Sequence, residues 1–243
     1  MFKHALMLLL LSPAFAVAAP LSAQKIVALA DEVRNPQIDY SVEASIVHYK
    51  PNKTGVQSED KKTKYKVMIK GKDKAVIETI EPAVERGRSL LLNDNNMWVI
   101  MPGVSKPVRV SMQQKLMGEV SNGDLARANF AEDYKAKVIK RTKATIQLEL
   151  TAKTQDVTYA RVIYWVSAKK YHPIKAEFYA VSGRLLKKCY YGQYKMFGGR
   201  LRPTELVMEN PLIKGQKSVI AYNRLVVSPL PDKYFNKEYL KKI

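Results

Sequence analysis

Hydrophobic and polar residues alternate along most of the chain, after one early segment with a different period. In residues 22–33 the apolar positions recur on one helical face, which predicts a helix capped by Ser22 and ended by Asn35-Pro36. Period-two alternation then predicts strands. Those before position 112 are 38–46, 65–70, 74–81, 87–93, 96–101 and 107–111, with a lysine-rich turn predicted over 51–62.

The alternation stops between about 112 and 133, where apolar residues lie among Gln, Asn and Gly. This insert favours short helical turns and loops. The strands predicted after it are 135–142, 145–152, 157–167, 173–181, 184–196, 201–208 and 217–228, and residues 232–242 favour a closing helix. Lys143-Ala144, Ser182-Gly183 and Gly198-Gly199 are typical of hairpin turns.

About a dozen strands joined by short turns predict an antiparallel sheet, and a sheet of that size has to curl or close. No internal repeat or linker marks a second domain. The sequence therefore predicts a mainly β fold with a few helices, in one domain over residues 19–243.

The first residues are typical of a secretory signal peptide. Lys3 gives a positive start, an apolar run follows, and Ala16-Val17-Ala18 fits the small-x-small cleavage rule. The apolar run is shorter than the roughly 20 residues of a membrane span. We therefore expect cleavage after residue 18 and a mature protein of the periplasm. No Cys lies near the cleavage point, so no lipid anchor is expected.

The charge is strongly basic, with 41 Lys and Arg against 22 Asp and Glu and a formal net charge of +19. The basic residues are spread over many strands, and export removes the chain from most nucleic acid, so no nucleic-acid partner is predicted. Two interpretations stay open: solvated strand faces, or attraction to anionic membrane surfaces, anionic lipids or an acidic partner. Cys189 is the single cysteine and is predicted to be a small buried hydrophobe.

Signatures of catalysis are absent from the sequence. It has no nucleophile elbow, phosphate loop, dinucleotide fingerprint or metal-ligand spacing. Asp124, Glu132 and Asp133 cluster in the insert, where they either form paired carboxylates or cap short helices and pair with Arg127. The sequence predicts no enzyme, no cofactor and no metal.

Bulky apolar residues occur on both faces of the predicted strand 96–101. Met97, Val99 and Met101 share one face, while Trp98 and Ile100 share the other. Either both faces are covered or one faces a cavity. Methionine and aromatic walls suit variable apolar ligands, and they equally suit a filled barrel interior.

Several segments resemble the outer membrane lipoprotein-sorting protein family, the LolA-like proteins. They are residues 96–103 (NMWVIMPG), 106–111 (KPVRVS), 121–134 (SNGDLARANFAEDY), 157–161 (VTYAR), 173–179 (PIKAEFY) and 182–187 (SGRLLK). The resemblance covers nearly the whole mature chain. The best-known lipoprotein chaperones are shorter and lack the central motif, so their cargo is not carried over to this chain.

The resemblance implies a half-open antiparallel β-barrel around a hydrophobic cavity, with helices as a lid. It also implies a monomeric periplasmic carrier that moves lipoprotein acyl chains or another lipid toward the outer membrane. Its expected partners are an inner-membrane transporter, an outer-membrane acceptor and, transiently, the membrane surface. The wall or lid residues predicted to bind ligand are Trp98, Ile100, Met112, Leu116, Met117, Phe130, Tyr164 and Phe178, with Arg109 and Arg127 for an anionic headgroup. The alternative is a periplasmic sensor or adaptor module that docks on an envelope transporter or regulator.

Overall fold

A computed structural model describes residues 20–126 and 129–242 of the chain. The predicted signal peptide and Arg127 lie outside these residues. Helix α1 (Ala23–Arg34) begins as expected, with the Ser22 side chain accepting a hydrogen bond from the backbone N–H of Lys25. This arrangement satisfies one of the free N–H groups of the first turn.

Fifteen strands follow α1 in the described residues. Their bounds are β1 Tyr40–Pro51, β2 Gln57–Lys70, β3 Lys74–Glu81, β4 Ser89–Asn93, β5 Asn96–Ile100, β6 Val108–Val110, β7 Lys115–Met117, β8 Val120–Ser121, β9 Tyr134–Arg141, β10 Thr145–Ala152, β11 Arg161–Ser167, β12 Pro173–Tyr179, β13 Leu185–Phe197, β14 Arg200–Glu209 and β15 Lys217–Val227. The short helices α2 (Asn122–Ala126) and α3 (Phe130–Asp133) lie in the insert, and α4 (Lys237–Leu240) closes the chain.

Thirteen of these strands form one antiparallel sheet, and β7 and β8 form a separate hairpin. The order is β6-β5-β4-β3-β2-β1-β15-β14-β13-β12-β11-β10-β9, in which β1 pairs with both β2 and β15. The sheet curls but does not close, because β6 and β9 remain its two edges. The predicted fold class, a mainly β half-open barrel, is confirmed.

The concave face of the sheet is packed with apolar side chains from both halves of the chain. Ile46, Tyr65 and Leu92 come from the first half, and Leu148 and Tyr164 come from the second. All five are almost completely buried. Helix α1 contributes Ile26, Val27 and Ala30 to this same inner core, as its helical periodicity predicts.

The convex face of β3 to β5 is also covered, which explains why both faces of β5 are apolar. Met97 joins the inner core, whereas Ile100 and Trp98 pack outside against Phe235 and Leu240 of the C-terminal segment. The Lys237 ammonium lies 4.3 Å from the centre of the Trp98 ring. The helix predicted over residues 232–242 is in fact a 3₁₀ turn, Asp232–Tyr234, followed by the short helix α4, and together they cover the outer face of the sheet.

The predicted turn over residues 51–62 is wrong in extent. The turn is only 52–56, and β2 begins at Gln57. The first six residues of β2 are exposed, because this end of the β1–β2 hairpin extends beyond the core. A strand with no buried face has no reason to alternate, so the sequence pattern does not reveal it.

Two kinds of structural feature are absent from the described part of the chain. No helix in it has both the length and the apolar character needed to cross a bilayer. Within the same residues, no group of three or more His, Cys, Asp or Glu side chains could hold a metal ion.

Candidate functional site

An internal cavity lies between the concave face of the sheet, α1 and the insert. It is lined by Arg34, Asn35, Tyr40, Val42, Val67, Ile69, Gly123, Asp124, Leu125, Ala126, Asn129, Phe130, Asp133, Tyr134, Thr158, Tyr159, Phe178, Tyr191, Phe197, Arg202, Pro203, Leu206, Met208, Tyr222 and Leu225. Its volume is about 80 Å³. Pockets for drug-sized ligands span about 300–1,000 Å³, so in this conformation the cavity is too small for a whole lipid.

Helices α1 and α3 cover the cavity together, and we call this pair the lid. The Asp31 carboxylate accepts a hydrogen bond from the backbone N–H of Ala131 at 2.7 Å and pairs with Arg34 at 2.5 Å. Burial lowers the pKa of Arg34, but the adjacent Asp31 carboxylate outweighs burial and raises it overall. The Arg34 guanidinium in turn lies 3.9 Å from the centre of the Phe130 ring. The hydrogen bond from Ala131 to Asp31 and the contact of Arg34 with Phe130 thus connect α1 to α3.

Aromatic rings form the apolar wall below the lid. Phe130 makes edge-to-face contacts with Tyr134 and Tyr164, with ring centres 5.5 and 5.4 Å apart. Phe178 lies 4.3 Å from Tyr159, measured between ring centres. Such pairs add about 0.5–1.5 kcal/mol each beyond the burial of their surface, so this wall is well ordered.

A second feature closes the cavity on the side of α2. The Lys187 ammonium forms a buried ion pair with Asp124 and donates a hydrogen bond to the carbonyl oxygen of Glu119 at 2.8 Å. Asp124 also accepts from the Tyr159 hydroxyl at 2.6 Å and from the backbone N–H of Ser121 at 2.7 Å. We call Ser121, Asp124, Tyr159 and Lys187 the plug.

The plug separates the cavity from an outer groove of about 500 Å³. Asp124 lines the cavity and Lys187 lines the groove, while Tyr159 lines both. The groove is completed by residues of the 180–184 and 210–216 turns, among them Val181 and Leu212. Thr158 also lines both spaces, so the cavity and the groove are adjacent at the plug.

Polar groups also line the cavity, around Tyr40 at the start of β1. The Tyr40 hydroxyl donates to the Asn35 side-chain oxygen at 2.9 Å, and the Arg202 guanidinium lies 5.6 Å from the Tyr40 ring centre. Burial raises the pKa of Tyr40 to about 12 although Arg202 and Arg34 both lower it. Tyr40 is therefore neutral at physiological pH and gives Arg202 no counter-charge.

The structure brings together only part of the predicted binding set. Phe130 and Phe178 line the cavity, and Tyr164 lies directly behind Phe130. Met112, Leu116 and Met117 are buried in the inner core but do not line the cavity.

Three other predicted residues lie elsewhere. Trp98 and Ile100 lie on the convex face, under the C-terminal segment. Arg109 is exposed beside Trp98 on the sheet edge and donates to the Asn96 side-chain oxygen at 2.6 Å. These three residues do not reach the cavity, and Arg127 lies outside the described residues. A role in ligand binding remains a prediction for the predicted residues that line or back the cavity.

Sequence reasoning missed the plug and the polar lining. Asp124 is paired with Lys187, a residue 63 positions away, and Glu132 pairs with Lys72 at 3.3 Å on the surface. Of the three carboxylates predicted to cluster, two thus have distant lysine partners. Period-two alternation places Lys187 on a strand without indicating that its face is buried, so no local signal could identify the pair.

Comparison with known proteins gives a family. A LolA superfamily protein from Nitrosomonas europaea is 40% identical to this chain. The match covers 90% of this chain and 100% of that protein, and the two structures superpose with a TM-score of 0.83. A DUF1329 family protein from Desulfovibrio piger is 23% identical, with 90% and 97% coverage and a TM-score of 0.75. A putative outer membrane lipoprotein-sorting protein domain from Vibrio parahaemolyticus is 21% identical, with 90% and 98% coverage and a TM-score of 0.74.

The two more distant structures show the shared fold. No curated protein sequence matches the chain. A family model described as "-like: Uncharacterized protein" matches residues 71–242. The identity of 40% over the whole length of the Nitrosomonas protein confirms the resemblance seen in the sequence motifs. The chain therefore belongs to the LolA superfamily.

Proposed function

We propose that this protein is a periplasmic carrier that holds a lipid, or the acyl chains of a lipoprotein, in its internal cavity and moves it toward the outer membrane. The observation that carries the proposal is the internal cavity itself. In it, aromatic and aliphatic side chains surround an internal space beneath a helical lid. The expected signal peptide, residues 1–18, supports a periplasmic location.

The physical requirement on such a carrier is to keep an acyl chain away from water. Exposure to water costs about 0.8 kcal/mol for each CH₂ group. Moving the acyl chain from a bilayer into an apolar cavity changes its free energy little, since both environments are apolar. Loading and release are then decided by whether the cavity is open, which places control in the lid and the plug.

Opening the plug is the step that we propose makes room. If the contacts between Asp124, Tyr159 and Lys187 separate, the cavity joins the groove of about 500 Å³. The joined space falls within the range of known ligand sites. The closed conformation described above is in this view the empty carrier.

One end of the barrel is suited to a membrane surface. Alternate turns of an antiparallel sheet lie at the same end, which groups the turns 52–56, 82–88, 101–107, 153–160, 180–184 and 210–216. Each contains a Lys or Arg, and the acidic residues among them are Glu85 and Asp156. Five of the six expose a large aliphatic side chain, namely Val56 at 62%, Val84 at 87%, Val104 at 47%, Val181 at 90% and Leu212 at 78%. We call this the basic end, and the groove opens there.

The opposite end lacks this combination. Its turns, 71–73, 94–95, 142–144, 168–172 and 198–199, contain no exposed large aliphatic residue. Of the residues that flank them, Met196 and Leu201 are exposed. Apolar tips beside basic side chains favour contact with anionic lipid headgroups. We propose that the basic end makes the transient contacts with the inner and outer membranes, next to the transporter and the acceptor.

A transfer assay tests the carrier. Pyrene-labelled phosphatidylglycerol is placed in donor vesicles, and loss of excimer fluorescence reports its arrival in unlabelled acceptor vesicles. The protein should accelerate transfer. Leu206→Trp, which fills the cavity, should abolish this acceleration, whereas Leu201→Trp adds the same bulk on the surface of the same strand and should not.

The basic end is tested in the same assay. The double variant Val181→Ser, Leu212→Ser should slow transfer while leaving the amount of lipid bound at equilibrium unchanged. If Leu206→Trp transfers lipid as fast as the unaltered protein, the cavity is not the carrying site. Unchanged transfer by the double variant would remove the membrane-contact part of the proposal alone.

A further inference from the structure

Arg202 is a buried cation, and two of its three side-chain nitrogens have no hydrogen-bond partner among the described residues. The residue is only 4% exposed and lines the cavity. Its Nε and Nη2 atoms are fully buried, and neither has a hydrogen-bond partner among the described residues. No described carboxylate lies within ion-pair distance of it. Folded proteins almost always pair buried guanidinium groups, because leaving one unpaired is strongly unfavourable.

The other charged groups around the cavity do not compensate Arg202. Arg34 is paired with Asp31, and Asp124 is paired with Lys187. Asp133 also lines the cavity and has an interaction of its own. The nearest ring, that of Tyr40, gives only a weak contact at 5.6 Å from the guanidinium carbon.

The unpaired polar atoms that face the cavity are all donors. Besides the two nitrogens of Arg202, the side-chain amide nitrogen of Asn129 is buried without a partner. The complementary ligand therefore brings acceptor atoms, and next to a guanidinium the best acceptors are the oxygens of an anion. A cavity that has both an aromatic wall and buried donors fits an amphiphile with one acidic head.

We propose that Arg202 binds the acidic headgroup, a carboxylate or a phosphate, of a lipid whose acyl chain occupies the cavity. This inference rests on the proposed carrier function and specifies its cargo. It distinguishes a free fatty acid or an acidic phospholipid from the acyl chains of a lipoprotein, which carry no acidic group of their own at that position. The headgroup oxygens accept from Nε and Nη2, the two nitrogens that the protein leaves unpaired.

Calorimetric titration with three amphiphiles of equal chain length tests the assignment. Palmitate and hexadecyl phosphate carry the acidic head, and hexadecanol is the neutral analogue. A charge-assisted hydrogen bond contributes roughly 1.5–3 kcal/mol, or about 10-fold to 150-fold in affinity. The two acids should bind at least about 10-fold more tightly than hexadecanol, and the tighter of the two identifies the carboxylate or the phosphate as the preferred head.

The variants isolate Arg202 from its surroundings. Arg202→Met should lose the preference for both acids while keeping its affinity for hexadecanol. Arg202→Lys should retain part of the preference for the acids. Arg200→Gln removes an exposed charge two residues away on the same strand and should change nothing. Without ligand, Arg202→Met should have an unfolding temperature equal to or above that of the unaltered protein, since it removes an unpaired buried charge.

Each remaining outcome has a definite meaning. Equal binding of palmitate and hexadecanol, or an equal loss of all three ligands in Arg202→Met, overturns the headgroup site but leaves the carrier standing. A lower unfolding temperature of ligand-free Arg202→Met assigns Arg202 a structural role and also overturns it. Binding of none of the three amphiphiles refutes the carrier function and this inference with it.

Discussion

Replacing Lys187 with methionine tests whether the plug is held by its buried ion pair. The side chains of Lys187 and Asp124 are only 3% and 5% exposed. Methionine keeps the length and most of the volume of the lysine side chain but removes the ammonium. The variant therefore leaves the Asp124 carboxylate buried without its counter-charge.

The expected loss follows from what Asp124 retains. Removing one member of a buried ion pair costs about 3–5 kcal/mol. Asp124 would keep the hydrogen bonds from Tyr159 and Ser121, which stabilise the carboxylate, while the Glu119 carbonyl oxygen would lose its donor. We therefore expect Lys187→Met to lower the free energy of unfolding by about 3 kcal/mol.

A double-mutant cycle measured by urea unfolding separates the pair from its surroundings. Asp124→Leu alone should cost a similar amount, because it strands the ammonium. The double variant should cost clearly less than the two single losses together, which gives a coupling energy of at least about 2 kcal/mol. Lys64→Met is the matched control, since its partner Glu81 is about half exposed, and it should cost less than about 1 kcal/mol.

Two results would refute this reasoning. A loss below about 1 kcal/mol for Lys187→Met would show that the pair behaves like a surface ion pair. Strictly additive losses would show that the two groups do not stabilise each other. Either result would also remove the plug as the element that keeps the cavity and the groove apart.

Three further predictions concern other parts of the fold. Burial raises the pKa of the Cys189 thiol to about 12 from 9.0, so the native protein should not react with iodoacetamide at neutral pH, and its free energy of unfolding should fall as the pH rises from about 9 toward 12. Gly123→Ala should destabilise the protein by about 1–3 kcal/mol in urea unfolding, because the added carbon would overlap the Thr158 hydroxyl, whereas Gly192→Ala meets no atom closer than 4.0 Å and should be tolerated. Phe235→Ala should cost about 3–5 kcal/mol and raise the exposure of Trp98 to an added fluorescence quencher, since Phe235 is 2% exposed in the cluster that covers this ring.

The sequence predicts the fold well wherever one face of an element is buried and the other is not. Helix α1 and strands such as β3 and β10 have the expected bounds to within one residue. In α1 the pattern comes from burial of every third or fourth residue, and in the strands it comes from burial of every second residue. The first six residues of β2 were not predicted to be a strand, because they have no buried face.

The candidate site was predictable only in part. Phe130 and Phe178 could be assigned to the cavity from family-like motifs, but Trp98 and Ile100 could not be separated from them by pattern alone. Both faces of β5 are apolar, and what faces the cavity depends on where the C-terminal segment packs. Arg202 also gives no local signal, since a buried arginine on a strand has the same sequence pattern as an exposed one.

The measurement that most directly tests the central claim is native mass spectrometry of the full-length protein purified from an envelope fraction without detergent. A lipid carrier should retain its cargo, so part of the protein should carry an added mass that matches a lipid, and Leu206→Trp should lack it. Protein that carries no added mass in either form, under conditions that preserve other lipid complexes, would contradict the account.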